Sequence, residues 1–210
     1  MSDRNRASER HDHSWFGERI QSDVGPIETP KCEDDVIRIL KDPSGFPSPV
    51  RPVGSRHSMT PCISARAAGG GPERWGTLVD MTGLTTLRDG TGEPDTNSLK
   101  VIPDPDGKQG KVTVPAGRTF ISVARELNEK QNEKRWVFRV NTELGTLTMG
   151  AAACGATKDS SFPGEFGQVC ADVVGMRLIK PNGDPQDLKE GDPDLKRCAA
   201  ATGYSGSSPR

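Results

Sequence analysis

Apolar positions along the chain come in short bursts separated by polar, turn-forming stretches. In Asp34-Asp-Val-Ile-Arg-Ile-Leu-Lys41, the residues Val36, Ile37 and Leu40 share a helical face behind an acidic start, which predicts a short helix. It leads into residues 49–53, where β-branched Val50 and Val53 predict a short buried strand. Pro52 and Gly54 end that ladder, because proline has no N–H and glycine accepts φ > 0. A second strand is predicted over 75–81 from Leu78, Val79 and Met81, with a tight connection over 82–87. Residues 98–102 and 111–114 alternate as a hairpin joined by Pro103-Asp-Pro-Asp-Gly107, and 115–117 end the pair. The clearest helix covers 119–130, where Phe120, Val123, Ala124 and Leu127 recur at i, i+3, i+4 and i+7 as a core-facing stripe. Residues 172–179 alternate again and end at Lys180-Pro-Asn-Gly183, whose Asn-Gly pair predicts a hairpin turn.

Composition makes the picture loop-heavy. The chain has 210 residues with 24 Gly and 17 Pro, and only 32% are hydrophobic, below the usual globular share. That length allows one substantial domain or two small lobes. With 28 basic and 29 acidic residues, net charge gives no reason to expect nucleic acid or an anionic membrane surface. Five cysteines (Cys32, Cys62, Cys154, Cys170, Cys198) without a C-x-x-C pair argue against a disulfide framework or a zinc site. No apolar run reaches the roughly 20 residues of a membrane span. The N-terminus lacks the apolar core of a secretory signal, so the cytosol is the default expectation. Residues 1–25 read as a disordered polar tail, and the His11-x-His13 pair within it as solvated rather than half of a metal site.

Two stretches carry candidate chemistry. After the strand at 49–53 come Gly54, Ser55, Arg56, His57 and Ser58. Successive N–H groups in such a turn converge on an anion, and two hydroxyls and a guanidinium add donors, so the turn is either a phosphate cradle or a plain polar turn. The second stretch runs from Asn141 to Asp159 and is almost all small residues from Gly150 to Thr157. Small side chains let backbone approach a ligand closely, and a helix start after Gly150 offers N–H groups to a phosphate; tight helix packing is the alternative.

Arg51-Pro-Val-Gly-Ser-Arg-His-Ser58 resembles the pyrophosphate loop of FAD-linked oxidases with the PCMH-type (vanillyl-alcohol oxidase-like) flavin domain, whose common form is R-x-x-G-x-G-H-S. Four further segments agree in order. Leu78-Val-Asp-Met81 with Gly83-Leu84 is similar to "vDLs.L", and Val112-Thr-Val-Pro-Ala-Gly117 before the helix at 119–130 to "V.AG". Gly145, Thr148, Gly150, Gly155 and Thr157 match "G-x-x-T-v-G-G-a-x-a-x-G-T-H-G", with Ala151 at a common glycine and Lys158-Asp159 at His-Gly. Asp172-Val-Val-Gly-Met-Arg-Leu-Ile179 follows the next strand pattern, so the likeness spans about residues 34–194.

The resemblance implies an α+β fold over 26–195. A small parallel βαβ lobe would cover 26–90 and an antiparallel-sheet lobe with helices 91–195, with FAD between them. It implies cofactor contacts from Val53, Gly54, Ser55, Arg56, His57, Ser58, Thr148, Gly150, Ala151, Gly155, Thr157, Lys158 and Val173. His57 is the candidate for covalent attachment to the flavin, or else a hydrogen-bonded turn histidine. Cys154 does not match the position of a flavin-linking cysteine and reads as a buried small residue.

The implied function is the FAD-binding portion of an oxidoreductase that oxidises a CH–OH group of a sugar, lactone or related alcohol. Hydride would pass to flavin N5, and oxygen or another acceptor would reoxidise the flavin. Two alternatives stand beside it: a non-catalytic flavin- or nucleotide-binding remnant, and an enolpyruvyl-glucosamine reductase-like enzyme that consumes NADPH. No catalytic or metal residue is assigned. Residues 196–210 depart from the family pattern and resemble no element. Read one base out of frame, their codons can encode Q-A-V-R-S-S-Y-G-L-L-G-I-V-T, the expected continuation, so a frameshifted, truncated product is expected. A gene sequence without those shifted codons would remove that expectation.

Overall fold

The computed structural model describes residues 10–12, 21–23, 27–57, 76–88, 94–95, 99–129, 135–138, 144–155, 157 and 169–199. They group into two compact units, one drawn from 1–84 with 179–184 and the other from 85–178 with 185–210.

In the first unit, strand β1 (Arg10–Asp12) pairs antiparallel with β2 (Gln21–Asp23). Neither segment contains an apolar residue, so the polar tail expected over 1–25 gave no periodic signal for this ladder. Strands β3 (Ile27–Glu28), β4 (Val50–Val53) and β5 (Thr77–Asp80) form a parallel sheet in the order β3-β5-β4. Central β5 reads as a continuous buried run, the pattern of a parallel strand covered on both faces. Leu78 lies beside Ile27 on one neighbour and Arg51 on the other.

Helix α1 (Glu33–Lys41) makes the crossover from β3 to β4. Its first turn carries Glu33, Asp34 and Asp35 and its last turn Arg38 and Lys41, which complements the helix dipole at both ends. The sequence places Val36, Ile37 and Leu40 on its apolar face. The structure instead buries Ile39 fully against Phe46 and Val79, with the other three half-buried. The Asp35 carboxylate reaches back to accept from the Lys31 backbone N–H at 2.9 Å and the Cys32 thiol at 3.5 Å. The Lys31 bond in particular holds the Asp35 pKa below the ordinary carboxylate value. A depressed native pKa means the contribution is present above the unfolded value and is lost as pH falls through the native one. Acid titration of the fold should therefore show a component in that range, and Asp35→Asn should remove it; an unchanged acid limb would contradict the cap.

The approach to β5 is tightly built. Thr77 is fully buried, its N–H donates to the Pro49 carbonyl at 3.0 Å and its hydroxyl to the Pro47 carbonyl at 3.0 Å. A Cβ at Gly76 would collide with the Pro49 backbone, so this position requires glycine for space.

In the second unit, β6 (Leu87–Arg88) pairs with β7 (Pro94–Asp95), and β8 (Lys100–Pro103) pairs antiparallel with β9 (Gly110–Thr113), with Val101 opposite Val112. Gly107 at φ 65° closes the predicted turn. Helix α2 (Phe120–Glu129) buries Phe120, Val123 and Leu127, the expected stripe. Helix α3 (Met149–Cys154) follows at the small-residue stretch. The unit holds two apolar clusters, one of Leu99, Val123 and Leu127, the other of Phe120, Ala152 and Val169.

A short 3-10 turn (Val169–Asp172) leads to β10 (Gly175–Ile179), which pairs with β11 (Pro185–Lys189). The connecting turn, counted with the first unit, has Gly183 at φ 82° as the Asn-Gly signal requires.

One expectation is corrected at the C-terminal side. Residues from Lys196 on were expected to form no element, yet helix α4 (Pro193–Ala199) runs through that boundary and buries Leu195 and Ala199. Asp192 starts it by accepting from the Asp194 N–H at 2.9 Å, and Pro193 sits at the first helical position, where its missing N–H costs nothing. Among the described residues, no helix is long and apolar enough to cross a membrane.

Candidate functional site

The first candidate stretch follows β4. Val53, the last strand residue, is buried and lies in register with Asp80 at the end of β5. Gly54, Ser55, Arg56 and His57 then leave the sheet, all half-buried, and Nδ1 of His57 is shielded from solvent. Ser58 lies outside the described residues.

Arg56 is the one described non-glycine residue with positive φ, at 62°. It stands where the family pattern has glycine, and this conformation explains why: the left-handed region costs an ordinary L-residue roughly 1–2 kcal/mol and glycine almost nothing. The arginine is compensated by its side chain. Its Nη2 donates to Asp80 Oδ2 at 2.9 Å, with the arginine side chain 33% and the aspartate 16% exposed. A charge-assisted hydrogen bond of this kind contributes roughly 1.5–3 kcal/mol, enough to offset the backbone term.

Asp80 holds a second structure with its other oxygen. Oδ1 accepts from the Thr82 N–H at 3.0 Å and the Thr82 hydroxyl at 2.6 Å, which caps the 3-10 turn Met81–Gly83. The sequence reading singled out this aspartate only as part of the "vDLs.L" likeness. Its bond to Arg56 spans 24 positions, and no local pattern signals such a pair. The guanidinium that the sequence offers as an added phosphate donor is thus engaged with a carboxylate.

The second candidate stretch is built by two similar turns that face each other. The Phe120 N–H donates to the Leu147 carbonyl at 2.8 Å and the Ile121 N–H to the Gly145 carbonyl at 2.7 Å. In return the Met149 N–H donates to the Arg118 carbonyl at 2.8 Å and the Gly150 N–H to the Ala116 carbonyl at 2.9 Å. Thr148 is buried as the N-cap of α3, its hydroxyl accepting from the Ala151 N–H at 3.4 Å, and the Ala152 N–H goes to the Thr148 carbonyl at 2.9 Å. Of the two readings of the α3 start, free N–H groups for a phosphate or tight packing, these bonds favour packing. Every N–H from Met149 to Ala152 already has an acceptor, so packing of one turn on the other accounts for this stretch. A Cβ at Gly150 would come within 3.1 Å of the Ala116 Cβ, so the small residue serves that close approach.

The remaining positions are less committed. Ala151 and Thr157 are half-buried, Gly155 is exposed just past α3, and the Thr157 carbonyl accepts from the Val169 N–H at 3.0 Å. Val173 is half-buried and its N–H donates to the Cys170 carbonyl at 3.3 Å. Lys158 lies outside the described residues. Cys154 is half-buried; burial, and then the neighbouring Cys198 and Cys170, push its thiol pKa up, which makes it a poor nucleophile.

No family model and no curated protein sequence matches the chain. Solved structures do. A cholesterol oxidase from B. sterolicum aligns over 93% of this chain with a TM-score of 0.65 at 18% identity, and a histidine-to-alanine mutant of that oxidase with 0.66 at 19%. An alkyldihydroxyacetonephosphate synthase aligns over 86% with a TM-score of 0.59 at 15% identity. The chain spans about a third of these proteins, 35% of the oxidase and 30% of the synthase. At such identities the likeness is one of fold. It is the PCMH-type fold that the sequence resemblance implies, a mixed assembly of helix and sheet.

Proposed function

We propose that the chain is the FAD-binding portion of an FAD-dependent oxidoreductase that oxidises a CH–OH group of a sugar, lactone or related alcohol. The observation that carries this reading is the backbone of Arg56: at the position where the flavin-loop pattern calls for glycine, the chain adopts φ 62°, a conformation that glycine accepts readily. The fold shared with the oxidase and the synthase supports it.

In this reading the diphosphate is held by the backbone of residues 53–58. Arg56 serves through its N–H, since its charge is already balanced by Asp80. Thr148, Gly150, Ala151, Gly155, Thr157, Lys158 and Val173 are the further positions proposed for the cofactor. FAD, when bound, supplies the two-electron acceptor for alcohol oxidation. His57, half-buried just after Arg56, is the residue proposed for attachment.

The test is to load the purified chain with FAD and add sugars, lactones and a sterol anaerobically, the sterol because one structural neighbour is a cholesterol oxidase. Loss of the flavin's visible absorption with one of these alcohols supports the proposal. Binding without bleaching by any alcohol points to a non-catalytic flavin binder, and bleaching by NADPH to the reductase-like alternative. Acid precipitation of the loaded protein reads the attachment: flavin should stay in the pellet for the parent and leave it for His57→Ala. Flavin in both supernatants would show dissociable binding.

A further inference from the structure

Glycine keeps a left-handed turn available without holding it there; a side-chain bond across the turn holds it. We propose that the Arg56–Asp80 ion pair is a latch that pre-sets the turn over 54–57, and that both residues are positioning residues for the flavin diphosphate. The proposal rests on the flavin reading of this turn.

Three observations converge on it. Arg56 occupies the left-handed region without being glycine. Its guanidinium reaches back 2.9 Å to Asp80, which sits beside Val53 in the sheet register, so the bond ties the exit of β4 to the exit of β5. The aspartate is anchored in turn, because its second oxygen is fixed by both donors of Thr82. The latch therefore joins an anchored carboxylate at Asp80 to a turn whose Arg56 backbone is left-handed. A loop held this way pays less ordering entropy when an anion enters it.

The test is flavin titration of the parent, Arg56→Ala, Arg56→Gly, Asp80→Asn and the Arg56→Ala/Asp80→Asn double variant. Arg56→Ala should bind FAD about tenfold more weakly, because alanine has neither the latch nor glycine's freedom at positive φ. Arg56→Gly should recover only part of that loss, because glycine restores access to positive φ without the bond that holds the turn there. Asp80→Asn, which keeps the oxygen that caps Thr82, should weaken binding to a similar extent, and the double variant should be no weaker than Arg56→Ala alone.

Full recovery in Arg56→Gly would overturn the proposal, because the turn would then need only access to positive φ, and undiminished binding in Asp80→Asn would overturn it in favour of a direct arginine–phosphate contact. Additive losses in the double variant, or none in Arg56→Ala, would overturn it as well. If the parent itself binds no FAD, the flavin reading fails and thermal unfolding decides the latch. Arg56→Gly melting above Arg56→Ala, with non-additive Arg56→Ala and Asp80→Asn shifts, would uphold it; equal melting with additive shifts would not.

Discussion

Phe120→Ala is expected to remove about 3–5 kcal/mol of stability, the usual cost of emptying a buried aromatic site. Phe120 is 5% exposed at the start of α2 and packs on Ala152 and Val169. Its ring lies 4.5 Å from that of Phe138, tilted by 31°, an aromatic pair that contributes beyond area burial. The same residue begins the reciprocal hydrogen bonding between the two turns, since its N–H meets the Leu147 carbonyl. Alanine keeps that backbone bond and loses the packing, so the variant isolates the side chain. The loss is a large part of the roughly 5–15 kcal/mol that holds a typical domain folded. Guanidinium unfolding followed by tryptophan fluorescence checks it: the midpoint should fall sharply with little change in slope. A loss under about 1 kcal/mol would mean that the cluster around Phe120 is not a core.

The second large effect falls in the other unit. Leu78→Ala should cost about 2–5 kcal/mol, because Leu78 is fully buried in the central strand with Ile27 and Val53 against it. Its position gives it a second consequence. Val53 is the last residue before the turn that ends in His57, and a cavity beneath it leaves that turn without its floor. Leu127→Ala removes a leucine of similar burial from the other unit. At a temperature where both variants stay folded, Leu78→Ala should weaken flavin binding more than Leu127→Ala. Equal weakening would show that the turn does not depend on the sheet under it.

The elements with strong periodicity were legible in the sequence. The stripe Phe120, Val123, Leu127 gave α2 within a residue at each end, and the strands around Val50 and Leu78 lie where their β-branched and apolar residues placed them. The turns were legible too, at Gly107 and Gly183, because positive φ selects glycine. Elements without an apolar signature were not. Strand β3 has two residues, and β11 reads Pro-Gln-Asp-Leu-Lys with a single buried leucine. Helix α4 depends on a cap at Asp192 and Pro193 rather than on a stripe, so it crosses a boundary that composition alone drew at Lys196.

The candidate site divides in the same way. The sequence reading put the tolerance for positive φ at Gly54, whereas the structure has the left-handed residue at Arg56, where the family pattern carries glycine. The partner of Arg56 was not legible, because only the fold brings residues 56 and 80 together. The small residues from Gly150 onward suit two uses, close packing or close approach of a ligand. The hydrogen bonds from Met149 and Gly150 to the facing turn, which pattern cannot show, assign the α3 start to packing.

The most direct measurement is an equilibrium titration of the full chain with FAD, followed by flavin fluorescence and challenged with ADP. If residues 53–58 cradle a diphosphate, binding saturates at one flavin per chain and ADP displaces it, because ADP carries the same diphosphate. A chain that is folded by circular dichroism yet shows no saturable flavin binding, or binding that ADP leaves untouched, would contradict the account.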